Sequence, residues 1–233
     1  MLRSDQLGQI TDLPLFSGMA EEALADLLGA ALLQQFPAGV VLIHEGHHAD
    51  FLHVLIDGLV EVFTEQDGEE WGISLVSPVT TFILAAVVSD QPYLNSVRTL
   101  SNSSILLIPA QRVRDIFDRD VAFARVVARE LALAYRSSIK KLKGYMARST
   151  VQRLANWILA EANKESATEA IVIPFDRGTL ASHIGTTREN LSRNLAQLTE
   201  HGVRIRGREI VIDRKELLEI FARPKPLIDD PSS

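Results

Sequence analysis

The sequence of 233 residues contains no cysteine, and this absence excludes several kinds of site. Disulfides, thiolate-bound zinc and cysteine-bound iron–sulfur clusters all need cysteine side chains. The chain also has no apolar run near the roughly 18 residues that span a bilayer. Its first residues show neither an apolar signal core nor a small-residue cleavage site. We therefore expect a cytoplasmic protein that has no membrane segment.

Positive charge is scarce in the first half of the chain. Residues 1–118 contain 4 Lys and Arg against 16 Asp and Glu, whereas residues 119–148 contain 8 against 2. The net charge of −6 is therefore the sum of two unlike parts. This asymmetry is expected when only one part of a protein meets phosphate groups.

The first half combines one helical pattern with many short strand patterns. Residues 20–36 carry apolar side chains at helical spacing. From Phe36 to Pro109, short β-branched runs are separated by glycine, Asp-Gly and proline, which is typical of a sandwich or barrel. Asp67 and Gly68 suit the two central positions of a hairpin turn, because both tolerate positive φ.

A long helical pattern follows, with an apolar stripe between Val121 and Leu142 that alternates three- and four-residue steps. Such a stripe fits a helix that lies on the β domain. It also fits a coiled coil between two copies of the chain, which we favour because Arg and Lys flank the stripe. A second helix is predicted over about 150–163. The tail, residues 224–233, is rich in proline and polar residues, and we expect it to be disordered.

Residues 178–200 have the pattern of two short helices that cross closely. The apolar face of the first helix consists of Leu180, Ala181 and Ile184. Gly185 follows where a tight turn needs a residue free of Cβ strain. Thr186 or Thr187 can cap the second helix, whose apolar side consists of Leu191, Leu195 and Leu198. The pattern predicts a helix-turn-helix.

The exposed side of the second helix carries residues that can read bases, namely Arg188, Glu189, Ser192 and Arg193. Arginine pairs with guanine, glutamate accepts from cytosine, and serine reaches bases or phosphates. Two alternating strands follow with Gly207 at their bend, and from them project Arg204, Arg206 and Arg208. Such a wing suits phosphate contacts. We predict binding to double-stranded DNA; the alternative is a helical hairpin with a solvated charged face.

With these features the chain resembles the CRP/FNR superfamily of bacterial transcription regulators, from about Leu13 to Phe221. The β-roll pattern of that family corresponds here to FPAGVVLIHEGHHADFLHVLIDGLVEVF, with Gly46 and Gly58 at its turn glycines. The run TTRENLSRNL keeps the family's R-E-x-x-x-R and the serine typical of the FNR branch. The resemblance implies an α+β fold: an N-terminal antiparallel β-roll (a cyclic-nucleotide-binding-like jelly roll), a long dimerisation helix and a C-terminal winged helix-turn-helix.

The resemblance also implies an organisation and a function. The expected parts are a β-roll effector-binding domain (1–118), a dimerisation helix (119–146), a DNA-binding domain (147–223) and the tail (224–233). The protein would be a homodimer without enzymatic activity that binds palindromic TGA-containing DNA sites. It would contact RNA polymerase and respond to a small-molecule effector. The DNA-binding residues would be Thr187, Arg188, Glu189, Ser192, Arg193, Arg206 and Arg208. Asn194 stands where the family usually has an aliphatic residue, and we expect a local polar contact there.

Residues 80–100 depart from the pattern of the family's cyclic-nucleotide branch. In that branch the glutamate of a Gly-Glu pair binds the ribose, and the arginine of a later Arg-Ser pair binds the phosphate. Spacing from Val97 and Arg98 puts these pairs at Phe82-Ile83 and Tyr93-Leu94. A buried phosphate without a cation is costly, so we do not expect cyclic AMP to bind.

Instead, the replacements favour an apolar cavity for a small aromatic acid. The predicted effector-binding residues are Phe82, Ile83, Leu84, Tyr93, Leu94, Ser96, Arg98, Tyr135 and Ser138. Arg98 is the candidate partner of the carboxylate, although a structural ion pair in the β-roll explains it slightly better. The two tyrosines can instead be packed core, and the cavity can be simply filled.

The histidines support two further hypotheses. His44, His47 and His48 of HEGHH, together with His53, can be read as haem ligands of a gas-sensing regulator. They can also be read as metal ligands of a cupin-like metalloenzyme. No carboxylate triad or capping methionine accompanies them, and an enzyme leaves the C-terminal third unexplained. We therefore expect no metal site, no catalytic residue and no bound cofactor besides the effector.

Overall fold

The computed structural model describes residues 10–11, 13–164, 170–173 and 175–229. The chain forms two compact units, one ending at Ala134 and the other beginning at Tyr135. This division falls inside the long helix. The four-part division expected from the sequence stays a prediction.

In the residues that the structure describes, the first unit is built on eight strands that form two antiparallel sheets. The strands are β1 (Leu32–Phe36), β2 (Val41–Ile43), β3 (Phe51–Asp57), β4 (Val60–Gln66), β5 (Glu69–Val76), β6 (Thr80–Phe82), β7 (Ser96–Thr99) and β8 (Ser103–Pro109). The strand orders are β1-β8-β3-β6 and β2-β7-β4-β5. The predicted hairpin between β4 and β5 is confirmed, since Asp67 and Gly68 have φ values of 55° and 80°. The α+β architecture predicted from the sequence is also confirmed.

Helices accompany these sheets. They are a 3-10 turn (Pro14–Phe16), α1 (Glu21–Gly29), α2 (Leu84–Ser89), α3 (Ala110–Arg119) and the long α4 (Val121–Ala147). The helix indicated by the apolar spacing over residues 20–36 is therefore present only in the first part of that range. From Leu32 onward the chain pairs with β8 as a strand, because the backbone hydrogen bonds of that sheet edge override a weak local preference.

The core of the first unit joins both sheets to the start of α4. Its fully buried members include Leu52 and Leu55 of β3, Ile105 of β8 and Val97 of β7. Phe123 of α4 packs into the same cluster, and Asp120 caps that helix by accepting from the backbone N–H of residue 123 at 2.8 Å. The beginning of α4 therefore lies on the β domain.

Farther along, α4 exposes large apolar side chains. Tyr135 is 69% exposed, Leu142 is 54% exposed and Met146 is 80% exposed. An exposed apolar stripe on a long helix fits the coiled coil favoured from the sequence. The homodimer itself stays a prediction. Among the described residues, none of the helices combines the length and the apolar character needed to cross a lipid bilayer.

In its described residues, the second unit continues from α4 with five further helices and one small sheet. Its elements are α5 (Thr150–Lys164), β9 (Ala170–Val172), α6 (Arg177–Ile184), α7 (Arg188–Leu198), a 3-10 turn (Thr199–His201), β10 (Val203–Arg206), β11 (Glu209–Ile212), α8 (Lys215–Ala222) and α9 (Pro226–Asp229). The sheet is antiparallel, with the strand order β10-β11-β9. Its core is apolar and includes Leu154, Ile158, Leu180, Leu191 and Leu218.

The expected disorder of the tail is wrong for its first part. Residues 226–229 form a helical turn, because the carboxylate of Asp229 accepts two hydrogen bonds from Arg148 at 2.6 and 2.5 Å. The same carboxylate accepts from the backbone N–H of Lys225 at 2.6 Å, which closes the turn. Residues 230–233 lie outside the described residues.

Candidate nucleic-acid interface and effector site

The first helix of the predicted helix-turn-helix begins at an acidic cap that the sequence analysis missed. Oδ1 of Asp176 accepts from the backbone N–H groups of Gly178 at 2.5 Å and Thr179 at 3.1 Å. Burial raises the pKa of Asp176, but the hydrogen bonds from Thr179 and Gly178 outweigh it, so the pKa is lowered. An aspartate just before an apolar helical pattern was the available signal.

The turn between the two helices is tight, as the sequence predicts. Gly185 has a φ of 73°, in the left-handed region that glycine adopts without strain. A Cβ atom at this position would lie 2.7 Å from Cε1 of Tyr145. The backbone N–H of Thr186 donates to the carbonyl of Ala181 at 2.9 Å, which closes the turn.

The second helix, α7, is capped by Thr187 rather than by Thr186, which is buried. Oγ1 of Thr187 accepts from the backbone N–H of Asn190 at 3.3 Å. The pKa of Glu189 is lowered, first by its own backbone N–H and then by the Thr187 hydroxyl. Glu189 is therefore an ionised acceptor at neutral pH.

The predicted reading face of α7 is open to solvent. All four of its members are exposed, namely Arg188, Glu189, Ser192 and Arg193. The hydroxyl of Ser192 donates to the carbonyl of Arg188 at 3.2 Å, and Nη1 of Arg193 lies 3.5 Å from Oδ1 of Asn190. The other side of the helix is buried through Leu191, Leu195 and Leu198. The helix thus separates a packing side from a polar side.

The wing has the form predicted from the sequence. Strands β10 and β11 pair in register from Val203↔Ile212 to Arg206↔Glu209, and Gly207 has a φ of 61° at the turn. Arg206 and Arg208 flank this turn and are exposed. Arg204, by contrast, forms an ion pair with Asp213.

Asn194 does not make the expected polar contact. Its Nδ2 atom is buried and has no hydrogen-bond partner within the described part of the chain. The position lies one turn from Leu191 and Leu198, on the packing side of α7, where neighbours are mainly apolar. An unpaired buried amide group costs about 1–3 kcal/mol.

The structure divides the predicted effector residues of the first unit. Phe82, Leu84 and Tyr93 are buried in its apolar core, and the phenol of Tyr93 donates to the carbonyl of Phe51 at 3.0 Å. Burial raises the pKa of Tyr93. Leu94 is 79% exposed, so its assignment to an apolar cavity is wrong: it lies at a bend, and its side chain is in water while that of Tyr93 is buried.

Arg98 is a structural ion pair, which corrects its assignment as a carboxylate partner for an effector. Its Nη2 lies 2.8 Å from the carboxylate of Glu61, which is only 1% exposed, and its Nη1 lies 2.6 Å from that of Glu70. The guanidinium also lies over the ring of Phe63. The guanidinium of Arg98 is therefore already paired with two carboxylates and one aromatic ring.

The four other predicted effector residues do not converge on one described site. Ile83 is partly buried and is the N-cap residue just before α2, and the hydroxyl of Ser96 accepts from the backbone N–H of Glu45 at 3.0 Å. Tyr135 and Ser138 belong to the second unit, where both are exposed. Their role toward an effector stays a prediction.

The histidines fall into separate environments. The rings of His44 and His47 lie 5.2 Å apart, and His48 contacts Asp50 and Asp90 at 3.1 and 3.5 Å. His53 is buried, and its Nδ1 has no hydrogen-bond partner in the described ranges. Burial lowers the pKa of His53 to about 4. Among the described side chains, no group of three His, Asp or Glu residues is placed to hold a metal ion.

Comparison with known proteins finds family matches for two separate parts of the chain. Residues 33–120 match the cyclic nucleotide-binding domain family, and residues 152–220 match the Crp-like helix-turn-helix domain family. The fold resembles that of FixK2 from Bradyrhizobium japonicum, with 19% identity, a TM-score of 0.71 and coverage of 82% of this chain and 96% of that one. It also resembles CLP from Xanthomonas campestris, a c-di-GMP responsive global regulator, with 16% identity, a TM-score of 0.71 and coverage of 84% and 100%.

One curated protein is similar to about half of this chain. The potassium channel GORK of Arabidopsis thaliana is 27% identical over 115 residues, which are 48% of this chain and 14% of the channel. The two family matches together with the fold define a DNA-binding transcription regulator with an effector-binding domain. The chain belongs to the CRP/FNR superfamily.

Proposed function

We propose that this regulator binds palindromic TGA-containing DNA as a homodimer, in the cytoplasm and without enzymatic activity, and contacts RNA polymerase there. The observation that carries the DNA assignment is the solvent-open polar side of α7, with Arg188, Glu189, Ser192 and Arg193. Glu189 accepts from cytosine and Arg193 pairs with guanine, so together they read one C·G pair. Two copies related by a twofold axis place their recognition helices in major grooves about 34 Å apart.

Substitution of the two reading residues tests this proposal. Wild-type protein is expected to prefer a duplex with the TGA palindrome over a scrambled duplex. Glu189→Ala and Arg193→Ala are expected to remove that preference, each at a cost of about 1–3 kcal/mol, while sedimentation still reports a dimer. Matched controls are Glu200→Ala and Arg214→Ala, two exposed residues of the second unit outside α7. Undiminished discrimination by the two α7 variants contradicts the assignment, and a wild type without preference contradicts the TGA half-site.

We further propose that the effector is a small aromatic molecule and not a cyclic nucleotide. The backbone of Ile83 has a φ of 56°, a conformation that favours glycine. This supports aligning Ile83, one residue later than spacing predicts, with the family's glycine, and therefore Leu84 with its glutamate. Leu84 and Tyr93, at the positions of the sugar-binding and phosphate-binding residues, are apolar or aromatic and buried.

The polar groups near these residues limit the chemistry of such a ligand. Because Arg98 is already held by Glu61 and Glu70, the carboxylate of an aromatic acid needs another partner. The ring of His53 lies 5.2 Å from that of Phe82, and its unpaired Nδ1 is a group to which a ligand can bind. Because burial lowers the pKa of His53, its ring is neutral at pH 7 and can form a hydrogen bond but cannot balance a carboxylate. This favours an aromatic ligand with a neutral polar group over one that relies on Arg98.

A thermal-shift comparison separates these ligands. We expect phenol to raise the unfolding temperature more than benzoate does, with a smaller shift in a His53→Gln variant. The control is His44→Gln, which changes an exposed histidine. A shift with cyclic AMP and none with the aromatics would overturn the proposed effector class, and it would leave the DNA assignment intact.

A further inference from the structure

Two arginines lie where the long helix α4 meets α5. Arg148 occupies the short link between these helices, and its side chain is only 8% exposed. It holds the carboxylate of Asp229 in α9 through two parallel hydrogen bonds of 2.6 and 2.5 Å. Bidentate pairing of this kind fixes both the distance and the orientation of the two groups.

Arg153 continues this network to the turn of the helix-turn-helix. Its Nη1 donates to the carbonyl of Arg148 at 3.1 Å. Its Nε donates to the carbonyl of Ile184 at 2.9 Å, and its Nη2 donates to that of Gly185 at 3.1 Å. The guanidinium also lies over the ring of Tyr145, 4.7 Å from its centroid.

The two carbonyls at the turn need such a donor. They belong to the end of α6, where the last carbonyls of a helix have no partner within the helix and carry a partial negative charge. One planar guanidinium supplies several donors in a fixed geometry and a positive charge. A lysine ammonium is a single point and cannot reproduce that geometry at three carbonyls.

The position of the turn determines the direction of the recognition helix. Only Thr186 and Thr187 separate Gly185 from Arg188, the first residue of α7. We propose that Arg153 is a positioning residue for DNA recognition, and that Asp229 supports it through Arg148. The C-terminal turn α9 is thereby part of the DNA-reading apparatus, although no residue of it belongs to the reading face.

The charge of Asp229 is suited to this role. Burial raises the pKa of its carboxyl, but the hydrogen bonds from Arg148 and from the backbone N–H of Lys225 outweigh burial and lower it. The carboxylate therefore stays ionised at neutral pH and holds Arg148 in place. Once its side chain is held, Arg148 presents its backbone carbonyl to Arg153.

The test uses the full-length protein and a duplex that the wild type selects from a random pool, so that it does not depend on the TGA half-site. The variants are Arg153→Lys, Asp229→Asn and the double variant. The matched controls are Arg214→Lys and Glu216→Gln, which change exposed residues of the same unit. Affinity is measured for the selected duplex and for a scrambled one, together with the thermal midpoint of each protein.

Arg153→Lys is expected to weaken binding to the selected duplex about tenfold, as for the loss of one good base contact. Binding to the scrambled duplex should change less than about twofold, because the charge that attracts phosphate is conserved. Asp229→Asn should have a smaller effect in the same direction. The double variant should bind no more weakly than Arg153→Lys alone, because residues in one network are not additive.

Hydrogen exchange gives a readout independent of DNA. The backbone N–H of Thr186, bonded to the carbonyl of Ala181, should exchange faster in Arg153→Lys than in either control. Equal losses on both duplexes, or a lowered thermal midpoint with unchanged discrimination, would show that Arg153 only stabilises the fold. Additive effects of the two substitutions would overturn the link through Asp229. If Arg153→Lys fails to fold, Asp229→Asn is assessed by the same two affinities and the same exchange rate.

Discussion

Arg98 and Glu61 form an ion pair between neighbouring strands, with Nη2 of the arginine 2.8 Å from the carboxylate. The glutamate is almost completely buried. Arg98→Met removes the arginine from this pair, and removing one member of a buried pair costs about 3 kcal/mol. We expect the free energy of unfolding, measured by urea denaturation, to fall by roughly 2–4 kcal/mol. Arg112→Met breaks only a more exposed contact with Asp26 and should cost less than about 1 kcal/mol. Equal losses in the two variants would contradict the structural role of Arg98.

The wing should contribute charge rather than sequence preference. Arg206 is exposed beside the turn at Gly207, so Arg206→Gln should weaken binding to all duplexes to a similar degree. The slope of log affinity against log salt should decrease by about 1, as expected when one phosphate contact is lost. Anisotropy titrations at several salt concentrations measure it, with Arg112→Gln of the first unit as the control. An unchanged slope with an altered base preference would place Arg206 in a groove instead.

Two glycines with positive φ offer a matched comparison. A Cβ atom at Gly185 meets Tyr145 at 2.7 Å, whereas one at Gly207 meets nothing within 4 Å. Gly207→Ala therefore bears only the cost of left-handed backbone, about 1–2 kcal/mol. Gly185→Ala adds a steric clash, and we expect a total of roughly 2–4 kcal/mol together with loss of discrimination between duplexes. Equal thermal midpoints for the two variants would show that Tyr145 moves aside freely.

His53 should make stability depend on pH. Its pKa is about 4 in the folded chain, against an ordinary value of 6.5. Between these values the unfolded chain binds a proton that the folded chain does not, so stability is full above pH 6.5 and falls as the pH is lowered toward 4. The loss attributable to this residue is roughly 3 kcal/mol across that range.

Urea denaturation at pH 5, 6 and 7 measures this dependence. His53→Gln should flatten the change in free energy between pH 5 and pH 7, whereas His44→Gln should leave it as in the wild type. An unchanged slope in His53→Gln would mean that the histidine is hydrated and titrates normally in the folded chain.

Local sequence was sufficient where a structure is fixed by nearby residues. The Asp67-Gly68 hairpin follows from the backbone freedom of two residues, and the helix-turn-helix follows from Gly185, a threonine cap and leucines at helical spacing. These signals involve residues only a few positions apart. The wing was predictable for the same reason, because alternation and Gly207 define a hairpin.

Residues whose partners are distant in sequence could not be assigned in this way. Arg98 pairs with Glu61 across two strands, and Asp229 pairs with Arg148 from 81 positions away. The strand at Leu32–Phe36 exists because β8 lies beside it. No local pattern contains those partners.

The sequence by itself therefore determined the class of fold, the helix-turn-helix with its wing, and which side of α7 is polar. The tertiary structure decided that Tyr93 is buried and Leu94 exposed, that Arg98 is occupied, and that Arg153 holds the turn before the recognition helix. The physical reason is the range of the interactions. Capping, turn conformation and amphipathic spacing act over a few residues, whereas burial and ion pairing depend on which distant segments the folded chain brings together.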